Sequence, residues 1–147
     1  MYAPAIFNEK ARFSPMYEHA RSRARLGKIK SILRGHSNRL LNLSEVTNGQ
    51  VFSRHYVGLR TVPVRQIQGS ESRNKDFDRD FNPVRDHTKE RWINIIAARL
   101  FEKSLPAVDL IKVGEIYFVR DGHHRVSVAN ALGAEFIDAH VTELLIG

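Results

Sequence analysis

The sequence has no cysteine, one tryptophan and two methionines in 147 residues. Without thiols there are no disulfides, no zinc–thiolate clusters and no sulfur nucleophile, so chemistry must come from imidazole, carboxylate and guanidinium groups. Long apolar runs are missing as well: nothing approaches the about 18 residues that a membrane helix needs, and no basic-then-apolar export pattern opens the chain. These absences predict a cytoplasmic protein with no membrane partner. Internal repeats and low-complexity tracts are also absent. The 42% hydrophobic content is enough for one ordinary domain with an extension.

Acidic residues are scarce in the first part of the chain. Residues 1–60 hold 11 Lys and Arg against 3 Asp and Glu, a net +8, whereas residues 61–147 hold 12 against 13, a net −1. Arg21, Arg23, Arg25, Lys28, Lys30, Arg34 and Arg39 follow one another with no acid between them. Such a run suits nucleic acid or another polyanion; a solvated basic helix is the plainer alternative. Ser14-Pro15 reads as a helix start and Gly35 as a stop, so residues up to Arg34 are expected to be helical in two pieces. Tyr17, Ala20 and Ala24, then Leu26, Ile29 and Leu33, are narrow apolar stripes on a charged cylinder, which predicts a helix lying on a surface. Residues 36–50 read as a connector with one anchoring turn at Leu40, Leu41 and Leu43, closed by the tight turn Asn48-Gly49.

The texture changes from His55. Residues 61–67 alternate as a strand, with Pro63 at its beginning or on a sheet edge. Residues 69–83 form a long charged loop, which Phe77 and Phe81 would pin to the core while Glu71, Arg73, Asp76, Asp78 and Asp80 face a cleft or water. A helix over 86–103 puts Trp92, Ile93, Ile96, Ala97, Arg99, Leu100 and Phe101 on one broad face, as the main core helix. Residues 108–113 and 116–120 read as a hairpin about Gly114-Glu115, and 136–141 as a last strand.

Between hairpin and last strand lies the stretch with the most chemistry. The apolar run ending at Arg120 breaks at Asp121-Gly122, His123-His124-Arg125 follow at once, and a helical segment runs to Gly133. A strand feeding a helix through such a corner exposes the first N–H groups of the helix, which can hold an anion, and the planar fork of Arg125 suits phosphate oxygens. Asp121 as an ordinary helix cap is the competing reading. Phosphoryl transfer needs cations and N–H donors around the phosphates, Mg²⁺ and a carboxylate to orient the nucleophile. Arg125, Arg73 and the helix start supply the first; Asp121 with Glu71 or Asp76 supplies the carboxylates. His123 or His124 can donate near neutral pH. A transition-metal set of Asp121, His123, His124 and His87 or His140 is disfavoured, because adjacent histidines at a helix start diverge.

Residues 62–141, with the hairpin entering Gly122-His123-His124-Arg125 and the Ala-Leu-Gly ending at Gly133, resemble the ParB/sulfiredoxin superfamily. The resemblance implies an α+β fold, a small mixed sheet with packed helices, over residues 55–147, preceded by a basic helical extension over 1–54. His123 stands where sulfiredoxins carry their catalytic cysteine, so their chemistry is not expected. Asp121-Gly122-His123-His124-Arg125 is most similar to the free-serine kinase branch. That likeness implies Asp121 as base or metal-side carboxylate, His124 against the transferred phosphoryl group, and Gly122 and Arg125 on nucleotide phosphates. Glu71 is the candidate for that branch's upstream glutamate, with His123 and Arg73 as further nucleotide contacts. Expected cofactors are ATP, ADP or CTP with Mg²⁺, and the expected activity is phosphotransfer or NTP hydrolysis. The alternatives are a nucleic-acid-binding protein or nuclease using the basic helix, and a non-catalytic module; a homodimer is a further expectation.

Overall fold

The computed structural model describes residues 3–101 and 103–146, with side chains from residue 11 onward. Met1, Tyr2, Glu102 and Gly147 lie outside it, and with them the outer limits of the expected 1–54 and 55–147 divisions. The described elements are α1 (Ala3–Arg34), β1 (Leu41–Asn42), α2 (Leu43–Thr47), β2 (Val51–Pro63), β3 (Ile67–Ser70), α3 (Lys89–Leu100), β4 (Val108–Val113), β5 (Ile116–Asp121), α4 (His123–Ala131) and β6 (Phe136–Ile146). Single 3₁₀ turns precede β3 and α3.

Among the described residues the strands form one six-stranded mixed sheet in the order β1-β3-β5-β4-β6-β2. The expected α+β class holds. β1, β3 and β5 run parallel, the β4–β5 hairpin is antiparallel, β4 and β6 are parallel, and β2 closes the edge antiparallel to β6. Alternation along the central strands sends side chains to two cores. Leu110, Val119 and Val141 join Trp92, Ile96, Val126 and Val128 beneath the helices, while Ile111, Phe118 and Leu144 meet Leu43 on the opposite face.

Three expectations need correction. First, Pro15 does not start a helix; it lies inside α1, a single 32-residue helix. Proline removes one backbone bond at the first turn behind it, and this site is solvent-exposed, so the freed carbonyl can meet water. Second, α1 is only half a surface helix. Phe13, Tyr17, Ala20 and Ala24 are buried, whereas Leu26, Ile29, Ile32 and Leu33 are more than half exposed. Tyr17 packs edge-on against Trp92 with centroids 5.5 Å apart, and its hydroxyl donates to the Arg85 carbonyl at 2.8 Å. The residue-54 division falls inside β2, and α1 shares the main core. Third, the strand expected over 61–67 is the end of a longer one. β2 begins at Val51 and stops at Pro63, where the chain turns through Val64–Gln66 before β3. Pro63 is therefore on an edge strand, as expected, but at its end.

The hairpin, the pinning of the loop by Phe77 and Phe81, and the stops at Gly35 and Gly133 are found as expected. The last strand runs five residues further, to Ile146. α3 is shorter than expected and leaves Leu100 and Phe101 about half exposed, Phe101 resting edge-on against Phe13. Trp92 is the hub: its indole N–H donates to Ser127 Oγ at 2.9 Å and fastens α3 to α4. In urea denaturation Tyr17→Ala is expected to cost about 3–5 kcal/mol, as for other buried aromatic truncations. Leu33→Ala, on the exposed half of the same helix, should stay within about 0.5 kcal/mol.

Candidate functional site

β3 and β5 are parallel neighbours, so Ser70 and Asp121 end at the same rim of the sheet. The rim at the carboxyl ends of parallel strands is where sheets of this kind present a crevice. Gly122 carries the chain from β5 into α4 with φ +110, a conformation L side chains rarely adopt. A Cβ there would come within 2.5 Å of Val108 Cγ1. The glycine is thus required by the turn and by close packing on β4. It provides no side-chain cap, and the first turn of α4 opens onto the rim without one.

Arg125 lies under this corner with 16% of its side chain exposed. Its Nη1 donates to the carbonyls of Pro106 at 2.6 Å and Ala107 at 3.0 Å, and Nη2 donates to Asp121 Oδ2 at 3.2 Å. Three donors of the fork are spent inside the protein, and among the described residues Nε and the remaining Nη2 hydrogen have no partner. Asp121 is 71% exposed and is not an N-cap, since the cap position is Gly122.

The histidines sit on an aromatic floor. His123 stacks on Phe77 with an interplanar angle of 15°, and its Nε2 lies 2.8 Å from the buried Ser70 Oγ. His124 meets the Phe77 ring edge-on at 5.1 Å. Burial disfavours the charged imidazolium at both. The pKa of His123 is lowered, and that of His124 is held down to about 4 by burial, with nearby Arg91 adding repulsion. Both are therefore neutral at pH 7, acting as hydrogen-bonding groups rather than cations.

The other expected residues are placed less uniformly. Glu71 is at the rim, where Arg120 grips it through Nε at 2.9 Å and Nη2 at 3.2 Å. Arg73 is turned away toward Glu45 on the α2 side, at 3.6 Å in an exposed pair. Asp76 faces His87, 3.1 Å from its Nε2. Asp78 was expected to face a cleft or water; it is buried and organises the loop from within. Its Oδ1 accepts the N–H groups of Asp80 at 3.0 Å and Asn82 at 2.9 Å, and burial raises its pKa. Sequence reasoning missed Ser70, Arg91 and Arg120. Ser70 and Arg120 end strands and Arg91 is one charge in a charged turn, so periodicity gave no signal for any of them.

Among the described residues, no group of three or more His, Asp or Glu side chains gathers as a metal cage. The carboxylates at the rim are Asp121, 71% exposed and paired with Arg125, and Glu71, with both of its oxygens held by Arg120. No described helix is long and apolar enough to cross a membrane. No protein-family model matches the chain, and no curated protein matches its sequence. Among solved structures, sulfiredoxin from Arabidopsis thaliana matches with a TM-score of 0.41 and 17% identity, covering 56% of this chain and 82% of that one. A likeness of that size assigns no residue a role.

The lowered histidine pKa values have a sign. The unfolded chain binds protons at its histidines near the ordinary 6.5 while folded His124 does not until about 4. Stability present above 6.5 is therefore lost as pH falls from 6.5 toward 4. NMR titration should place the His124 imidazole near 4, and His124→Gln should flatten the urea-midpoint profile across that window. The raised pKa of Asp78 works oppositely, favouring the fold as pH falls into the carboxylate range.

Proposed function

We propose that the corner is a phosphate-binding site for a nucleotide, with Mg²⁺-dependent phosphotransfer or hydrolysis as its chemistry. The observation that carries this reading is the uncapped first turn of α4, with the partly uncommitted Arg125 fork held beside it. An arriving phosphate competes with Asp121 for Nη2 of Arg125. The exchange frees the Asp121 carboxylate to orient an acceptor hydroxyl or water, while the bonds to Pro106 and Ala107 keep the fork in place. Glu71, fixed by Arg120, stands on the neighbouring strand end as a second carboxylate. Neutral His124, close to Arg91, offers an N–H or a lone pair to a phosphoryl oxygen or a transferring proton. Bound Mg²⁺ would supply charge neutralisation between phosphate oxygens.

Thermal melting with ATP, ADP, CTP and GTP, with and without Mg²⁺, tests this, because a ligand of the folded state raises the midpoint. A nucleotide-specific rise should vanish in Arg125→Ala. That variant should also lose about 2 kcal/mol of its own stability, having given up charged bonds to two carbonyls. Asp121→Asn separates the effects: it should keep the rise and lose turnover. No rise with any nucleotide overturns the reading.

A second reading, nucleic-acid binding, is favoured by one observation. Arg25, Lys28, Lys30, Arg34 and Arg39 are exposed, and among the described residues no carboxylate pairs with them. Arg21, in contrast, is held by Asp86 at 3.2 Å and is only 15% exposed. Changing Lys28, Lys30 and Arg34 to Gln should reduce the slope of log affinity against log salt by about 2–3 on duplex DNA. An unchanged slope sinks it.

A further inference from the structure

A second cavity, of about 440 Å³, lies near the opposite end of α4 from the corner, walled by α1, the turn before β3 and the charged loop. Arg23, Arg65 and Arg79 line it, against a single lining carboxylate, Asp80. Three guanidinium groups around one space repel one another unless an anion joins them.

Two of the lining residues each carry a buried polar atom without a partner among the described residues. The atoms are Arg23 Nε, a donor, and Asn82 Oδ1, an acceptor. Asn82 is 6% exposed, so solvent does not relieve it. Its amide nitrogen is spoken for by Asp78 Oδ2 at 3.4 Å, which leaves the oxygen as the unsatisfied end. Orphaned buried polar atoms cost stability and call for a ligand or an ordered water. Phe81, 2% exposed, also lines the cavity; its φ of +59 belongs to the turn that Asp78 organises, taking the N–H groups of Asp80 and Asn82 on its carboxylate and that of Phe81 on its carbonyl.

The lining defines the ligand. Three arginines, with Nε of Arg79 already donated to the Arg39 carbonyl at 2.7 Å, ask for a phosphate. The exposed Asp80 carboxylate repels a bare phosphate and asks for a hydroxyl donor beside it. We propose that this cavity binds a sugar monophosphate, its phosphate among Arg23, Arg65 and Arg79 and a hydroxyl donated to Asp80. The cavity is within the size range of small-molecule sites. Phe81 lines it and packs against His123 with ring centroids 6.4 Å apart, so cavity and corner adjoin, but none of the polar residues of the corner lines it.

Calorimetric titration of the full chain with ribose 5-phosphate, ribose and inorganic phosphate tests the assignment. Ribose 5-phosphate should bind, ribose should not, and inorganic phosphate should bind at least tenfold more weakly. Arg65→Ala removes an exposed side chain and should lower affinity at least tenfold without changing the melting point. Arg23→Met should do the same while melting no lower than the parent, because it deletes a donor that has no partner. Asp121→Asn, at the corner, should leave the affinity unchanged. The proposal is overturned by the absence of binding at millimolar ribose 5-phosphate, or by full affinity in both arginine variants. Equal affinity for inorganic phosphate overturns the hydroxyl contact, and with it the sugar.

Discussion

Val108 packs beneath the bare α-carbon of Gly122, with Arg125 beside it reaching back to the carbonyls of Pro106 and Ala107. β4 thereby supports the point where β5 leaves the sheet and becomes α4. The position of α4 follows from that support, and Val126, Val128 and Ala129 are carried into the core while Ser127 meets the Trp92 indole. Trp92 in turn holds Tyr17 and so the buried half of α1. A side chain at residue 122 would strain the turn and push against Val108 together. The corner is a structural joint first, and any ligand it takes must use what the joint leaves free.

That structural role explains how much of the corner could be read from residues alone. Asp-Gly-His-His-Arg between an apolar run and a helix marked the corner, and the corner is there. Its internal bonding could not be read. Carbonyl acceptors at Pro106 and Ala107 are backbone atoms, brought beneath Arg125 by the β4–β5 pairing, and backbone acceptors leave no trace in side-chain pattern. Arg73 shows the converse: its type suited a phosphate ligand, but the rise of the loop from β3 carries it toward Glu45.

The fold was legible where burial imposed a period and obscure where it did not. β4 and β5 sit in the middle of the sheet and show the expected apolar runs. β2 pairs with β6 alone, and most of its residues from Val51 to Thr61 are exposed, so hydrophobicity carries little of the signal. Its stability rests on the backbone ladder to β6. Pro15 misled for a related reason. A proline's local cost depends on whether its freed carbonyl meets water, and the anchoring of Phe13, Tyr17 and Ala20 on either side keeps the helix continuous across it.

Charge follows the same division between joint and surface. The N-terminal excess of arginine and lysine looks uniform along the chain, yet α1 sorts it by face. Arg21 is turned onto Asp86, Arg23 into the second cavity, and Arg25, Lys28, Lys30 and Arg34 into water. Cations facing water cost little, whereas Arg23 lines the cavity with its Nε buried and, among the described residues, without a partner. From His123 at the corner to Asn130 at that cavity, α4 runs roughly 10 Å. At one end the arginine fork is answered by carbonyls and Asp121; toward the other, Arg23 on α1 and Asn82 on the loop each keep a buried polar atom without a partner among the described residues. The imbalance between the two ends, more than the net charge of the chain, is the physical reason to look for a ligand at the second.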